Sequence, residues 1–223
     1  MSIQNNLKQV KHLVGDKATL VAVSKTKPNE DLMAAYEAGQ RIFGENKVQE
    51  LTNKYETLPK DIEWHMIGHL QSNKVKYIAP FVSLIHGVDT MKLLKTINKE
   101  GIKNERKISC LLQIHIADES TKFGFSEDEL LGILSLEMIS ELTHVEIKGV
   151  MGMATFTDDE AQIRQEFSHL KRVFENLKER LFKSASSFSE ISMGMSGDYL
   201  IAIDEGSTMV RVGSSIFGSR NYH

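Results

Sequence analysis

The stretch Thr19 to Pro28, TLVAVSKTKP, decides the fold class. Its first half is a short apolar run with β-branched residues, which is typical of a parallel strand buried on both faces. Proline at position 28 disfavours helical backbone at Lys27, so the chain turns there. Lys25 therefore lies where a strand passes into a loop, and α/β folds bind ligands at the carboxyl ends of their strands.

Lys25 is the first candidate for chemistry. A lysine held against apolar walls loses its proton more easily than one in water, and the neutral amine is the form that attacks an aldehyde to give a Schiff base. The alternative is a solvated charge at a strand end. Taken alone, this stretch favours the solvated charge, so the rest of the chain must decide.

Length and composition limit the class of protein. The chain has 223 residues, of which 41% are hydrophobic and 26% charged, and its net charge is −3. This size suits an α/β barrel, and since no linker composition occurs we expect a single domain over residues 1–223. The charge indicates no general attraction to nucleic acid or anionic lipid. Cys110 is the only cysteine, which excludes a disulfide scaffold and a cysteine metal site.

The amino terminus, MSIQNNLKQVKHLV, spaces its apolar residues as a helix does. A signal peptide would instead carry a continuous apolar core. No stretch approaches the roughly 18 apolar residues of a membrane-spanning helix. We therefore expect an extra amino-terminal helix, no membrane partner and a cytoplasmic location.

Eight short strand patterns recur along the chain with helical patterns between them. They cover residues 20–23, 41–43, 63–67, 83–88, 107–116, 145–151, 190–193 and 209–212. This alternation predicts parallel strands joined by right-handed crossovers. Eight such units fit an α/β fold of the closed (β/α)8 TIM-barrel type, preceded by the extra helix. A doubly wound open sheet is the alternative.

In a barrel, the strand ends meet at one rim. The candidate binding residues at these ends are Lys25, Asn46, His65, Met195, Ser196, Arg211, Gly213 and Ser214. A lone asparagine such as Asn46 is also a common helix cap. His65 and His69 are four residues apart, but Gly68 interrupts them and no third ligand is evident, so no zinc site is predicted.

The closing stretch RVGSSIFG, residues 211–218, points to an anion. Backbone N–H groups at Gly213 and Ser214 would form a nest for phosphate, and barrels often bind phosphate after strands seven and eight. When the small-residue stretches after the last two strands are considered separately, an ordinary turn explains each of them as well. A lysine for an aldehyde and a nest for a phosphate together indicate a site for pyridoxal 5′-phosphate. Arg211 would reach the pyridine nitrogen and hold it unprotonated, which makes the ring a weak electron sink.

Six blocks carry a family resemblance. They are AVSKTKP (22–28), FGENKVQE (43–50), WHMIGHLQSNK (64–74), KGVMGM (148–153), ISMGMSGD (191–198) and GSTMVRVGSSIFG (206–218). In this order they resemble the pyridoxal phosphate homeostasis proteins, the YggS/PROSC family, which is similar to the barrel domain of bacterial alanine racemase. The resemblance covers nearly the whole chain.

The resemblance implies roles for individual residues. Lys25 would be the Schiff-base lysine, and Arg211 would face the pyridine nitrogen. Ser196, Gly213 and Ser214 would surround the phosphate. Asn46 and His65 would line the ring pocket. Lys47, Met66 and His115 depart from the family's usual aromatic residue, phenylalanine and asparagine, which puts the polarity of the pocket near His115 in question.

The resemblance also implies a function without catalysis. The chain would carry or buffer pyridoxal phosphate in vitamin B6 homeostasis, with cofactor-dependent apo-enzymes as recipients. A closed barrel with polar outer helices is compatible with a monomer, which we expect. The alternative is a pyridoxal-phosphate enzyme such as an amino-acid racemase, which needs an acid or base on each face of the cofactor. Alanine racemase takes its second group, a tyrosine, from another domain; Tyr199 is the nearest tyrosine to Ser196 here. A third alternative is an aldolase that uses a lysine and no cofactor. It is the least favoured function, because such an enzyme would have no use for a phosphate nest.

Overall fold

The computed structural model describes residues 2–118 and 123–219. Eight parallel strands form a closed barrel in chain order, and β8 pairs with β1. The strands are β1 (Thr19–Val23), β2 (Ile42–Glu45), β3 (Glu63–Met66), β4 (Leu84–Val88), β5 (Ile108–Gln113), β6 (Val145–Met151), β7 (Glu190–Ser192) and β8 (Met209–Val212). Closure confirms the predicted (β/α)8 fold, since an open sheet would leave two unpaired edges.

Helices surround the barrel. They are α1 (Ile3–Val14), α2 (Asn29–Glu37), α3 (Val48–Thr57), α4 (Val75–Ile78), α5 (Met91–Lys103), α6 (Glu127–Ile133), α7 (Leu136–Glu141), α8 (Glu160–Arg180), α9 (Tyr199–Asp204) and α10 (Ser214–Phe217). A 3₁₀ turn, Ser72–Lys74, precedes α4. In the part of the chain that the structure describes, none of these helices combines the length and apolar character needed to cross a membrane.

The predicted extra helix is α1. The Ser2 side chain accepts a hydrogen bond from the Asn5 N–H and caps the helix start. Leu7, Val10 and Val14 form its buried face, and these positions follow the period of an amphipathic helix. Burying each such side chain contributes about 1.5–3 kcal/mol. The apolar face explains why α1 packs on the barrel.

The interior of the barrel is closed by an apolar floor, formed by Val21, Leu84, Leu111, Met151 and Met209. Each of these residues comes from a different strand, and all are buried. Side chains in a strand alternate between its two faces, so the next inward-facing position lies two residues towards the carboxyl end. The floor therefore separates the lower barrel from the carboxyl-end rim, where the candidate residues were expected.

Candidate functional site

A cavity of about 490 Å³ opens at the carboxyl ends of the strands. Its wall comes from the loops after β1, β2, β3, β6 and β7 and from the end of β8. Of the candidate residues, those lining it are Lys25, Asn46, Met195, Ser196, Arg211, Gly213 and Ser214. The ends of strands that are distant in sequence thus meet around one space.

The turn after β1 carries Lys25, which is half-buried. The Lys27 N–H donates to the Ser24 carbonyl oxygen at 3.1 Å and closes the turn. Thr26 has a φ of 65°, a left-handed conformation that costs a non-glycine residue about 1–2 kcal/mol. The Thr26 N–H donates to the Glu50 carboxylate at 2.6 Å. A helix-borne carboxylate therefore holds the strained residue next to Lys25.

A buried ionic network supports this turn; it consists of Ser24, Glu45, Glu50 and Lys54. The Lys54 ammonium donates to the Ser24 carbonyl oxygen at 2.8 Å, to Glu45 Oε1 at 2.8 Å and to Glu50 Oε1 at 2.7 Å. The Ser24 hydroxyl donates to Glu45 Oε1 at 2.6 Å. Lys54 and Glu45 are 5% and 0% exposed. The network thus ties α3 and β2 to the turn that presents Lys25.

Glu45 titrates in an unusual range within this network. Burial raises the pKa of its carboxyl group to about 7, although the Lys54 charge and the Lys54 and Ser24 hydrogen bonds act in the opposite direction. Glu45 Oε2 is buried and has no hydrogen-bond partner among the described residues. An unsatisfied buried oxygen favours the protonated carboxyl group, because desolvation penalises the charged form.

We expect this pKa to appear in the pH dependence of stability. Between about pH 4.5 and 7 the folded state binds more protons at Glu45 than the unfolded state does, so the free energy of unfolding falls as pH rises through this window. Glu45→Gln removes the titrating group. Relative to the wild type, the variant should gain on the order of 2 kcal/mol of unfolding free energy between about pH 5 and pH 8.

Urea denaturation of the two proteins at both pH values measures this difference. Comparing the variant with the wild type cancels the contributions of the other titrating groups, including the buried histidines. A difference in unfolding free energy that stays constant across the window would contradict the assignment to Glu45.

Arg211 lies at the end of β8 and is 4% exposed. Its Nη1 donates to the Ser192 hydroxyl at 2.6 Å, and its Nη2 donates to the Gly152 carbonyl oxygen at 3.1 Å. Burial lowers the pKa of Arg211 to about 10, while the Asp198 carboxylate acts to raise it. The guanidinium therefore stays charged at neutral pH, and it places a fixed cation in the cavity wall.

Small polar residues after β7 and β8 form another part of the wall. The Gly213 N–H donates to the Ser196 hydroxyl at 3.1 Å. The Met195 N–H donates to Asp198 Oδ1 at 2.5 Å and shapes the loop that carries Ser196. Ser214 follows Gly213 and begins α10. These contacts hold the two loops together and place hydroxyl and backbone N–H groups at the cavity.

Asn46 follows β2 and faces the cavity. Its Oδ1 is buried without a hydrogen-bond partner among the residues described. The backbone of Asn46 packs against Gly68, where an added Cβ would lie 2.5 Å from the Asn46 carbonyl oxygen. Gly68, which the sequence offered only as an interruption between two histidines, is needed for this close approach. A bound ligand can satisfy the orphaned amide oxygen by donating to it.

The structure places His65 apart from the other candidate residues. It lies in β3, is 4% exposed and does not line the cavity. Its Nδ1 lies 3.0 Å from His86 Nε2, and His86 Nδ1 lies 2.9 Å from the Ser192 hydroxyl. Burial lowers the pKa of His65 to about 3, with a smaller contribution from the Lys148 charge. His65 is thus linked to the site through His86 and the Ser192 hydroxyl that Arg211 contacts.

Sequence reasoning missed His86, Ser192, Glu45 and Lys54. The available signal was a polar side chain inside a strand predicted to be fully buried. A buried polar group needs hydrogen-bond partners, so such a residue indicates a polar network around it. His86 fits that description within the predicted strand 83–88. Lys54 gave no such signal, because a lysine on a helix is usually solvated.

Two lysines line the cavity, and their surroundings differ. The Lys27 ammonium donates to the carbonyl oxygens of Phe217 and Ser219, at 2.8 and 3.1 Å. It therefore holds the end of α10. Lys25 lies directly at the end of β1, between the strand and the left-handed Thr26.

The residues present fit pyridoxal phosphate. The cavity offers a lysine for the aldehyde, a cation for the ring nitrogen, and hydroxyl and N–H groups for a phosphate; the orphaned Asn46 oxygen can accept from the ring. Lys47, Met66 and His115 are not among its lining residues. Within residues 2–118 and 123–219, no group of three or more histidine, cysteine or acidic side chains is arranged to hold a metal ion.

Comparisons with known proteins agree with this geometry. The pyridoxal phosphate homeostasis protein of Pasteurella multocida (strain Pm70) is 38% identical over 235 residues, which cover 100% of this chain and 99% of that protein. PipY of Synechococcus elongatus PCC7942, solved without PLP, has 32% identity and a TM-score of 0.89, covering 97% of this chain and 100% of that one. Its structure with PLP bound gives 31% identity, the same coverage and a TM-score of 0.85.

Alanine racemase shares the fold alone at this level of similarity. The enzyme of Clostridium difficile 630 is 13% identical with a TM-score of 0.75, and the match covers 99% of this chain and 56% of the racemase. The family model described as the alanine racemase N-terminal domain matches residues 1–221. Together with the full-length relatives, this match shows that the chain belongs to the family of pyridoxal phosphate homeostasis proteins, whose barrel is that of the alanine racemase N-terminal domain.

Proposed function

We propose that this chain binds pyridoxal 5′-phosphate in the carboxyl-end cavity and carries or buffers it in vitamin B6 homeostasis. The observation that carries the proposal is that Lys25, Arg211 and the Ser196–Gly213 pair line the same cavity. Each would meet a different functional group of the cofactor: the aldehyde, the ring nitrogen and the phosphate. PipY, a relative of nearly the same length, has a structure with PLP bound.

Lys25 would hold the cofactor covalently and reversibly. The neutral amine adds to the aldehyde carbon, the two amine protons and the carbonyl oxygen leave as one water molecule, and a carbon–nitrogen double bond remains. No oxidant or reductant takes part, so added water reverses the reaction. Such a bond suits a protein that must release its cargo intact.

The other lining residues would orient the cofactor. Arg211 would donate to the pyridine nitrogen and keep it unprotonated, because a guanidinium retains its own proton. Ser196 and Ser214 would donate to the phosphate, Gly213 would hold the Ser196 hydroxyl oxygen so that its proton points to the phosphate, and Asn46 would contact the ring. Met195 would cover one side of the pocket. We propose that all of these residues belong to a single domain that spans residues 1–223.

A carrier is favoured over the racemase alternative. When bound, the cofactor supplies an electron sink, but Arg211 makes it a weak one. Racemisation also needs a second acid or base opposite Lys25. Among the described residues that line the cavity there is no tyrosine or histidine. Tyr199 is buried at the start of α9, where burial raises the pKa of its phenol, and it is not part of the wall.

The test of binding is direct. Adding pyridoxal phosphate to the purified protein should produce a yellow imine absorbance, and borohydride reduction followed by peptide mass analysis should place the cofactor on Lys25. A protein that is colourless once the unbound cofactor has been removed would reject both the carrier and the racemase.

A second measurement separates carrier from enzyme. The loaded protein is incubated with single amino acids in deuterated water, and the α-proton is followed by NMR. We expect no exchange above that caused by free cofactor; exchange at enzymatic rates would reject the carrier. Transfer to a cofactor-dependent apo-enzyme, compared with free cofactor at equal concentration, tests delivery. The monomeric state and the cytoplasmic location stay predictions, and sedimentation checks the first.

A further inference from the structure

A layer of buried polar side chains lies beside the apolar floor inside the barrel. His86 and Arg211 follow the floor residues Leu84 and Met209 by two positions on β4 and β8, so they face the same interior one step nearer the rim. Ser192 and His65 also face the interior, because Ser192 pairs in register with Met151 and Met209, and His65 pairs with Leu84. Barrel interiors are usually packed with branched apolar residues, so a polar layer here requires a reason.

The layer forms one continuous chain of hydrogen bonds. Arg211 Nη1 lies 2.6 Å from Ser192 Oγ, Ser192 Oγ lies 2.9 Å from His86 Nδ1, and His86 Nε2 lies 3.0 Å from His65 Nδ1. All four residues are between 0% and 4% exposed. The chain joins β8, β7, β4 and β3 across the interior of the barrel.

The direction of the bonds follows from Arg211 together with the burial of Ser192. A guanidinium can only donate, so the Ser192 oxygen accepts; the buried Ser192 proton itself needs an acceptor, and His86 Nδ1 lies within reach to accept it. A neutral His86 then carries its proton on Nε2 and donates it to His65 Nδ1. Burial and neighbouring charges lower the pKa of both imidazoles, that of His65 to about 3 and that of His86 well below its ordinary value. Both histidines are therefore neutral and protonated on Nε2.

The chain has a consequence for the cavity. Each terminal nitrogen of Arg211 uses an N–H group on the barrel, one towards Ser192 and one towards the Gly152 carbonyl oxygen. The guanidinium is planar and has five N–H groups in a fixed fork. Two anchored nitrogens therefore fix the plane of the fork, in which the remaining N–H groups lie, and Arg211 lines the cavity.

We propose that Ser192, His86 and His65 are positioning residues that fix the Arg211 guanidinium in the orientation needed to meet the ring nitrogen of the cofactor. This inference rests on the proposed function, because the orientation of Arg211 matters only if the cofactor lies beside it. The histidines act through Ser192 and do not touch the ligand themselves. Their neutrality keeps a second positive charge away from Arg211.

The first test uses the protein without cofactor. Nitrogen NMR of histidine-labelled wild type, assigned with single histidine-to-glutamine variants, should show His65 and His86 neutral and protonated on Nε2 between about pH 5 and pH 8. Protonation of His86 on Nδ1 would overturn the proposed direction of the chain. This result does not depend on whether pyridoxal phosphate is the ligand.

The second test removes one hydroxyl. Ser192→Ala should weaken pyridoxal phosphate binding by about tenfold, the effect of losing one hydrogen bond to a charged group, and should shift the imine absorbance. Ser192→Thr keeps the hydroxyl and should restore affinity and spectrum to nearly wild-type values. Arg211→Gln, compared in parallel, should weaken binding at least as much.

The outcomes separate the two proposals. If the wild type forms no imine, the proposed function fails while the NMR result still stands. If the wild type binds and Ser192→Ala matches it in affinity and spectrum while melting at a lower temperature, the chain has only a structural role and the positioning proposal is wrong. The NMR measurement on the wild type decides the direction of the chain even where a variant fails to fold.

Discussion

Lys25→Ala should abolish the imine absorbance at equimolar pyridoxal phosphate. The amine is the only group of Lys25 that can form the carbon–nitrogen double bond, and alanine leaves no nucleophile at that position. Lys25 is half-buried and lines the cavity at the rim, so its removal should leave the fold intact. Absorbance spectroscopy during titration with the cofactor measures the effect.

Lys27→Ala is the matched control, because Lys27 lines the same cavity two residues further on. Its ammonium is bound to the carbonyl oxygens of Phe217 and Ser219, so its loss should weaken binding without removing the imine. Circular dichroism should show both variants folded. If the imine persists in Lys25→Ala and vanishes in Lys27→Ala, the nucleophile has been assigned to the wrong lysine.

Lys54→Met should lower the free energy of unfolding by about 3–5 kcal/mol near pH 8, the usual cost of removing one partner of a buried ion pair. The substitution keeps the length of the side chain but leaves the Glu45 carboxylate buried without its cation. It also frees the Ser24 carbonyl oxygen and Glu50. We therefore expect slower and weaker imine formation at Lys25 as well, since the turn loses its support.

The double variant Lys54→Met, Glu45→Gln tests the cause. Because it removes the stranded charge together with its partner, it should recover most of the lost stability. The loss in the single variant should also shrink near pH 5, where Glu45, with a pKa of about 7, is protonated. An equal loss in the single and double variants at both pH values would show that the ion pair is not the source.

The barrel was predictable because its strands are apolar runs that end in turns. Even β7, only three residues long in Glu190–Ser192, was found because small residues follow it. Sequence patterns predicted the helices less reliably than the strands. The sequence between Ser72 and Ala79 predicts one helix, but the structure has a 3₁₀ turn followed by the four residues of α4, since short helices take their form from packing and have little intrinsic preference.

The position of the candidate residues was partly predictable for the same reason. The rule that ligands meet strand ends placed Lys25, Ser196 and Gly213 at one rim without any knowledge of their contacts. The supporting residues were not predictable, because their partners are distant in sequence. His86 and Ser192 are 106 positions apart, and only the register of a closed barrel brings them together. A single sequence gives periodicity and turn chemistry, but no such pairings.

The apolar floor of Val21, Leu84, Leu111, Met151 and Met209 determines by which side of the barrel the cofactor can enter and leave. A charged phosphate ester cannot pass through this apolar layer. The cofactor would therefore enter and leave the cavity on the same side, at the carboxyl-end rim. Phe156 lies at this opening, where it is fully exposed and forms part of the cavity wall. If a recipient enzyme takes the cofactor directly from this cavity, it must approach this side of the molecule, and incoming and outgoing cofactor then compete for the same opening.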